Sequence, residues 1–395
     1  MAYVNRFRWL LRIVASVLAG VVWHDSGGED SSFFIVAGHT LTSPHVFHAR
    51  TVDGVVLWGK AAGGLHVFAR MPWDHFGPMT LFVGSLVPGW GDAARWQLTL
   101  ADLSILALTL WMVDRAIVAA IPAGARRETF LAVGGGAVLV GGLVAGVLWT
   151  HPDVLLVSLA TAGAAAAGVM RRPVIVGAWL AVGIASSATF VLSLPLVLLL
   201  PVPRERLRAV AVGVVGGLAA WMPFVLADLG TINALKATDK VRPQSLVHLF
   251  GVDTGFAPGW LRPVQLAACA VVGAMILRRG DVLGAVAGMA VFRLLTDPTP
   301  FSYLALLAVV PIVLWAAGAP RCSERWGWLG VVVVLTTAFS GRQAGDAAEA
   351  LRSVLLLGVL AGVIIRTGMR TDRVRRPEAP ANVPDSVAAS VFAAR

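Results

Sequence analysis

Apolar segments of about 14 to 22 residues, close to the length of a membrane crossing, recur from Phe7 to Ile365, and short polar stretches rich in arginine separate them. A backbone entering hydrocarbon must satisfy every N–H and C=O internally, and a helix does this within one segment. The alternation therefore predicts an all-α, polytopic transmembrane helix bundle. A mean hydropathy of +0.78, with 57% hydrophobic residues over 395 positions, excludes one or two soluble domains with polar exteriors. The net charge of +10 would suggest nucleic acid in a soluble chain. Here the arginines lie between apolar segments, which is a pattern of topology, and no nucleic-acid partner is expected.

The clusters Arg6/Arg8, Arg126/Arg127, Arg171/Arg172, Arg204/Arg206/Arg208, Arg278/Arg279, Arg321/Arg325 and the run from Arg366 to Arg376 are assigned to the cytoplasm. An even number of crossings between clusters gives spans at 130–150 and 154–170, 173–187 and 189–203, 209–228 and 263–277, 282–295 and 301–318, and 327–340 and 347–365. Between Arg8 and Arg126 the candidates are 9–23, 76–88 and 97–121, one more than parity admits. The segment FGPMTLFVGSLVP is short and carries Gly77, Pro78 and Gly84, so it is predicted to be re-entrant or interfacial. About 12 spans follow, with both termini cytoplasmic and the protein multi-pass in the plasma membrane.

Residues 1–366 then form a single transmembrane domain, and 367–395 a basic, disordered tail. The first segment has the basic start and small residues of a signal peptide but is read as an uncleaved span, since the rest of the chain is membrane-embedded. Cys269 and Cys322 lie in unlike surroundings and predict neither a disulfide nor a metal site.

Three external regions fall on one side: 24–96, 229–262 and the short stretch Leu294–Leu304. The first mixes His45, His48, Arg50, Trp58, Lys60, His66, Arg70, Trp73, Asp74 and His75 with apolar residues, as interfacial helices do. It opens on Asp25, Glu29 and Asp30 beside His24. These carboxylates mark a solvated turn with Asp30 or Ser31 as a helix N-cap, or they hold a general base. No pair of these histidines has the i, i+4 spacing with a flanking carboxylate of helical zinc sites, and no metal site is assigned. Whether a divalent metal joins Asp25, Glu29 and Asp30 stays open.

In the second region Lys236, Lys240 and Arg242, with Gln244 and Ser245, form an outward basic patch that suits either a phosphate ligand or anionic headgroups. Arg293 and Asp297 stand four residues apart at the outer end of a span, where ionisable groups need a partner or a polar cavity. His75 and Tyr303 are further candidates for lining such a cavity. Asp102 near the outer end of its span could line it too, whereas Asp114 and Arg115 are expected at the cytoplasmic interface.

Asp30, Phe34, Ala37 and Gly38 stand in the spacing D-x-x-x-[YF]-x-x-A-G. This resembles the signature opening the first external loop of GT-C fold glycosyltransferases, in the branch using polyprenyl-phosphate sugars typified by actinobacterial α-mannosyltransferases. Further similarities follow in order. MPWDHFGPMTLFVGSLVP resembles the branch's aromatic, proline-rich segment, RRPVIVGAWLAVGIASSATFVLSLPLVLLLP its R-x-P hairpin, RPQSLVHL its N-Q-S-L loop, and TDPTPFSYLALLAVVP its late D-P element. The resemblance implies a GT-C-like bundle that transfers a sugar, mannose first, with inversion, from a polyprenyl-phosphate donor to a lipid or glycan acceptor. It implies Asp30 as the base on the acceptor hydroxyl, with Asp25, Glu29 and His24 assisting.

The chain departs from the pattern at Phe190, where the branch carries Lys, at His151-Pro152-Asp153, which replaces G-Q-x-N, and at Phe301-Ser302-Tyr303, which replaces a His pair. Phosphate recognition then falls to Lys236, Lys240, Arg242, Gln244 and Ser245. The rival readings are a transporter or flippase of lipid-linked substrates, which would show internal repeats, and a non-catalytic scaffold. No repeat is found, and the acidic residues gather at one face.

Overall fold

The computed structural model describes residues 2–23, 31–42, 63–70, 76–89, 91–234, 240–243, 245–253, 255–299, 302–318, 321–339 and 346–374. The main helices are α1 (Ala2–Trp23), α2 (Ser31–Thr42), α3 (Pro78–Ser85), α4 (Gly91–Ala120), α5 (Ala125–Leu148), α6 (Pro152–Val169), α7 (Pro173–Ser186), α8 (Pro203–Ala227), α9 (Leu261–Leu277), α10 (Val282–Leu295), α11 (Leu306–Gly318), α12 (Arg321–Phe339) and α13 (Asp346–Val374). Apart from them there is a two-residue antiparallel ladder, β1 (Lys240–Val241) with β2 (Gly255–Phe256).

Helices α4, α5, α6 and α8 are long and apolar enough to cross a membrane, by length and composition. The shorter apolar helices α7, α9 and α10 occupy positions where further spans are expected. α3 has only 8 residues, or about 12 Å at 1.5 Å per residue, against the roughly 20 residues of a crossing. The segment expected to span at 189–203 falls on a 3₁₀ stretch over Ala188–Leu199 with Pro195 inside it. Such runs seldom exceed three or four residues, and this one advances about 2.0 Å per residue rather than 1.5 Å. The last helix continues to Val374, past the tail boundary expected at 366.

Boundaries follow local chemistry. Proline opens α3, α6, α7 and α8, where its missing N–H leaves no bond unmade and its φ suits the first turn. At α10 one oxygen of Asp281 accepts from the Gly284 amide at 2.8 Å, and the other accepts from the Trp315 indole at 2.9 Å.

The exterior is apolar. α1 exposes Leu10, Val14, Val17, Leu18, Val21 and Val22, and α8 exposes Leu207, Val215 and Leu226 at 70%, 67% and 76%. Surfaces of this kind need a nonaqueous neighbour, and lipid supplies one. Inside, small residues let backbones approach: Gly177 of α7 lies against the Ala209 carbonyl, while Gly213 and Gly217 of α8 receive Leu180 and Ile184.

One end of the bundle is tied by ion pairs. Arg12 reaches both oxygens of Asp114 at 2.7 and 3.1 Å and donates to the Leu131 carbonyl at 2.7 Å. Arg8 adds contacts to Asp114 and Glu128 at 3.7 and 3.5 Å, and Arg126 meets Glu324 at 3.0 Å. Asp114, expected near the cytoplasmic end of its helix, is buried among these arginines. The arginine that neutralises it comes from another helix, and Gly135 leaves the space the guanidinium fills.

At the opposite end α2 crosses α3 at backbone contact, since a Cβ on Gly38 would fall within the Gly84 peptide. Gly38→Ala is expected to destabilise the protein by about 1–3 kcal/mol, read as a lower unfolding midpoint in detergent. An unchanged midpoint would show that the crossing yields freely.

Candidate functional site

α5 closes on a π-helical turn, Val144–Leu148, and the chain then doubles back so that the His151 amide donates to the Ala145 carbonyl at 2.9 Å. Thr150 in this bend has φ 58°. A β-branched residue in the left-handed region is strained by about 1–3 kcal/mol, and such strain gathers at functional sites. Pro152 then starts α6, fixing His151 before the helix and Asp153 in its first turn.

The His151 ring is held on several sides. Its Nδ1 lies 3.0 Å from Asp153 Oδ1, its face stacks on Tyr303 at 3.6 Å and 17°, and the edge of Phe34 from α2 meets it at 5.3 Å. Trp149 stands edge-on to Tyr303 at 5.9 Å. Asp102 of α4 is 0% exposed, and neither of its oxygens has a hydrogen-bond partner among the described residues. It lies within electrostatic reach of His151 and Asp153. Gly146, in the π-helical turn, leaves room for its Cβ. An imidazole oriented by one carboxylate and adjacent to another can accept and release protons.

A second group sits where α10 ends. Asp297 pairs with Arg293, and Arg262 of α9 stands 3.6 Å from the same oxygen. Gln265 accepts from Arg262 at 2.9 Å and donates to the Thr296 carbonyl at 2.9 Å. The Asp297 Oδ1 also accepts from the Thr299 amide at 3.0 Å. The Arg242 amide donates to the Pro298 carbonyl at 3.0 Å, which attaches the second loop region to this turn. Beside Arg293 is a cavity of about 40 Å³ whose polar lining includes Thr161 and Ser193, with their hydroxyls 3.1 Å apart. That volume suits a few waters at most.

Of the residues singled out in the sequence, Asp30, Asp25, Glu29, His24, His75, Lys236 and Gln244 lie outside the described residues. Lys240 is described only in its backbone, within β1. Arg242 is exposed. Ser245 is buried, and its hydroxyl donates to the Arg242 carbonyl at 2.8 Å while accepting from the His248 amide. Its hydroxyl proton thus serves the turn, which argues against its use on a phosphate. Arg293, Asp297 and Tyr303 are buried. The first two pair with each other, and Tyr303 stacks on His151.

Sequence reasoning missed the association of Asp102 with His151 and Asp153, and that of Arg262 and Gln265 with Asp297. The His-Pro-Asp tripeptide was a usable signal, since proline at a helix start places its neighbours at the N-cap and in the first turn. Among the described residues no three His, Cys, Asp or Glu side chains are grouped to hold a metal ion.

No family model matches the chain, and no curated protein does. Solved structures similar to it include two membrane proteins. ArnT from Cupriavidus metallidurans, bound to undecaprenyl phosphate, is 14% identical with a TM-score of 0.44, over 92% of this chain and 77% of that one. The Archaeoglobus fulgidus oligosaccharyltransferase in the apo form is 13% identical with a TM-score of 0.41, over 98% of this chain. The chain spans 59% of the length of that second protein. At this level of likeness the two structures identify no activity for it.

Proposed function

We propose that the chain is a membrane glycosyltransferase that moves a sugar, mannose the first to test, from a polyprenyl-phosphate donor to a lipid or glycan acceptor on the extracytoplasmic side. Transfer proceeds with inversion, and Asp30 is the base that takes the acceptor proton. The observation that supports this reading is how the resemblance positions are used. Phe34 and Ala37 are buried, Phe34 touches His151 and Phe76, and Gly38 sits on the Gly84 backbone. Residues shared with the signature therefore dock α2 beside a polar cluster, and Asp30 immediately precedes that helix in sequence.

A donor carried by a lipid needs no nucleotide-binding loop, and basic groups near it would stabilise the phosphate as it leaves. Arg242 is a candidate for that role, together with Lys236 and Lys240. One observation favours the rival reading of a transporter or flippase: Asp102 is an ionisable side chain buried inside a helix long enough to cross a membrane.

Asp30→Asn separates the two. Membranes carrying the wild-type protein are expected to move labelled mannose from polyprenyl phosphate to an acceptor, and the variant to do so at least about 100-fold more slowly. Equal rates would remove Asp30 as the base, and no transfer by wild type would remove the reading itself.

A further inference from the structure

We infer that Arg171, Arg172, Arg204 and Arg208, at the end of the bundle where α7 and α8 begin, form a docking surface for the phosphate headgroups of anionic phospholipids. The premise is a residue held at a conformational cost. After α6 the Arg171 amide donates to the Gly168 carbonyl at 3.0 Å and the Arg172 amide to the Ala167 carbonyl at 2.9 Å. This is a helix-ending turn whose left-handed position is usually glycine, because a Cβ there crowds the backbone. Here that position is Arg171, with φ 56°. Its side chain is exposed and makes no hydrogen bond or ion pair among the described residues. The α6 dipole favours a cation at this end, but Arg172 supplies one without the left-handed backbone. A strained side chain with no use inside the molecule points to a partner outside it.

The neighbours of Arg171 identify that partner. α7 and α8 pack side by side in the same direction: Gly177 lies against Ala209, Leu180 meets Gly213, Ile184 meets Gly217, and the Trp221 indole donates to the Ile184 carbonyl at 3.0 Å. Both helices therefore begin at one end, which gathers Arg171 and Arg172 with Arg204 and Arg208. All four are exposed, whereas Arg206 is spent on the Leu200 carbonyl at 2.7 Å. Glu205 is the one carboxylate in residues 171–208. Arg204 and Arg208 stand one helical turn apart, where like charges repel unless an anion lies between them.

Depth selects the kind of anion. Val174, Ile175, Val202 and Leu207 are interleaved with the arginines and exposed. Such side chains enter the acyl region while arginine reaches into the headgroup zone, and a phosphate there accepts two parallel N–H bonds from a guanidinium. Nothing in this surface depends on the glycosyl-transfer reading or on Asp30.

The test follows the unfolding midpoint of the full chain in nonionic detergent as phosphatidylglycerol, phosphatidylcholine or inorganic phosphate is added. Wild type is expected to respond to phosphatidylglycerol alone. Its affinity should fall about fivefold in Arg171→Gly and about thirtyfold in the double variant Arg204→Gln with Arg208→Gln, at the usual contribution of one arginine near an anionic surface. Without lipid, Arg171→Gly is expected to melt above wild type, since glycine accepts the left-handed turn. A gain in stability joined to a loss of lipid cannot come from a side chain that serves the fold. Arg278→Gln removes an exposed arginine after α9, outside this patch, and should leave the response in place.

An equal response to phosphatidylcholine would assign the effect to acyl chains, and an equal response to inorganic phosphate would assign it to a free anion. An equal loss in Arg278→Gln would assign it to net charge. Each of these overturns the surface, as does an Arg171→Gly variant that keeps wild-type affinity or melts below wild type. Should the double variant not fold, Arg171→Gly decides alone.

Discussion

Asp297→Ala is expected to destabilise the protein by about 3–5 kcal/mol, the range found when one member of a buried ion pair is removed. Asp297 is 2% exposed, and the arginines facing it, Arg262 and Arg293, are 7% and 9% exposed. Removing the carboxylate leaves those guanidinium charges buried without their shared counter-charge. The same carboxylate fixes the turn after α10 through the Thr299 amide, and this turn carries the Pro298 carbonyl that holds Arg242. Asp297→Asn separates the two effects, because the amide oxygen can still accept from Thr299 while the charge is lost. Asn should retain the turn and lose most of the stability; Ala should lose both. Denaturation in mixed micelles measures the difference, and an Ala variant within about 1 kcal/mol of wild type would show that water reaches these arginines.

The helical framework was legible because membrane chemistry writes it locally. The expected segments at 130–150, 154–170 and 173–187 correspond to Ala125–Leu148, Pro152–Val169 and Pro173–Ser186, with proline fixing the starts of the last two. Gly77, Pro78 and Gly84 likewise fall in and beside α3, which has only 8 residues. The 3₁₀ stretch was not legible, because apolar residues in a 12-residue run carry no polar periodicity to distinguish three residues per turn from 3.6. The site was legible only in parts. The separation of four residues announced the pairing of Arg293 with Asp297, but Asp102 and His151 are 49 positions apart and come within electrostatic reach only in the folded chain. The partner of Asp114 was hidden for the same reason, since only the fold brings Arg12 to it.

That last pair permits the sharpest separation of burial from pairing. Asp114→Ala alone is expected to cost about 3–5 kcal/mol, because Arg12 then keeps a charge at 5% exposure with Leu131 as its remaining hydrogen-bond partner among those described. Replacing both members, Arg12→Met with Asp114→Leu, removes the two desolvation penalties together. Stability is then expected within about 2 kcal/mol of wild type, since apolar replacements of buried pairs are often neutral or favourable. The residual loss comes from the Leu131 carbonyl, deprived of its donor, and from Arg8, whose contact with Asp114 at 3.7 Å also goes. Unfolding midpoints of the two single variants and the double variant in detergent complete the cycle. A double variant as unstable as the sum of the singles would mean that Arg12 and Asp114 act independently, each through its own backbone contacts. A near-wild-type double variant would show that what α1 requires at this end of the bundle is charge balance rather than the ion pair itself.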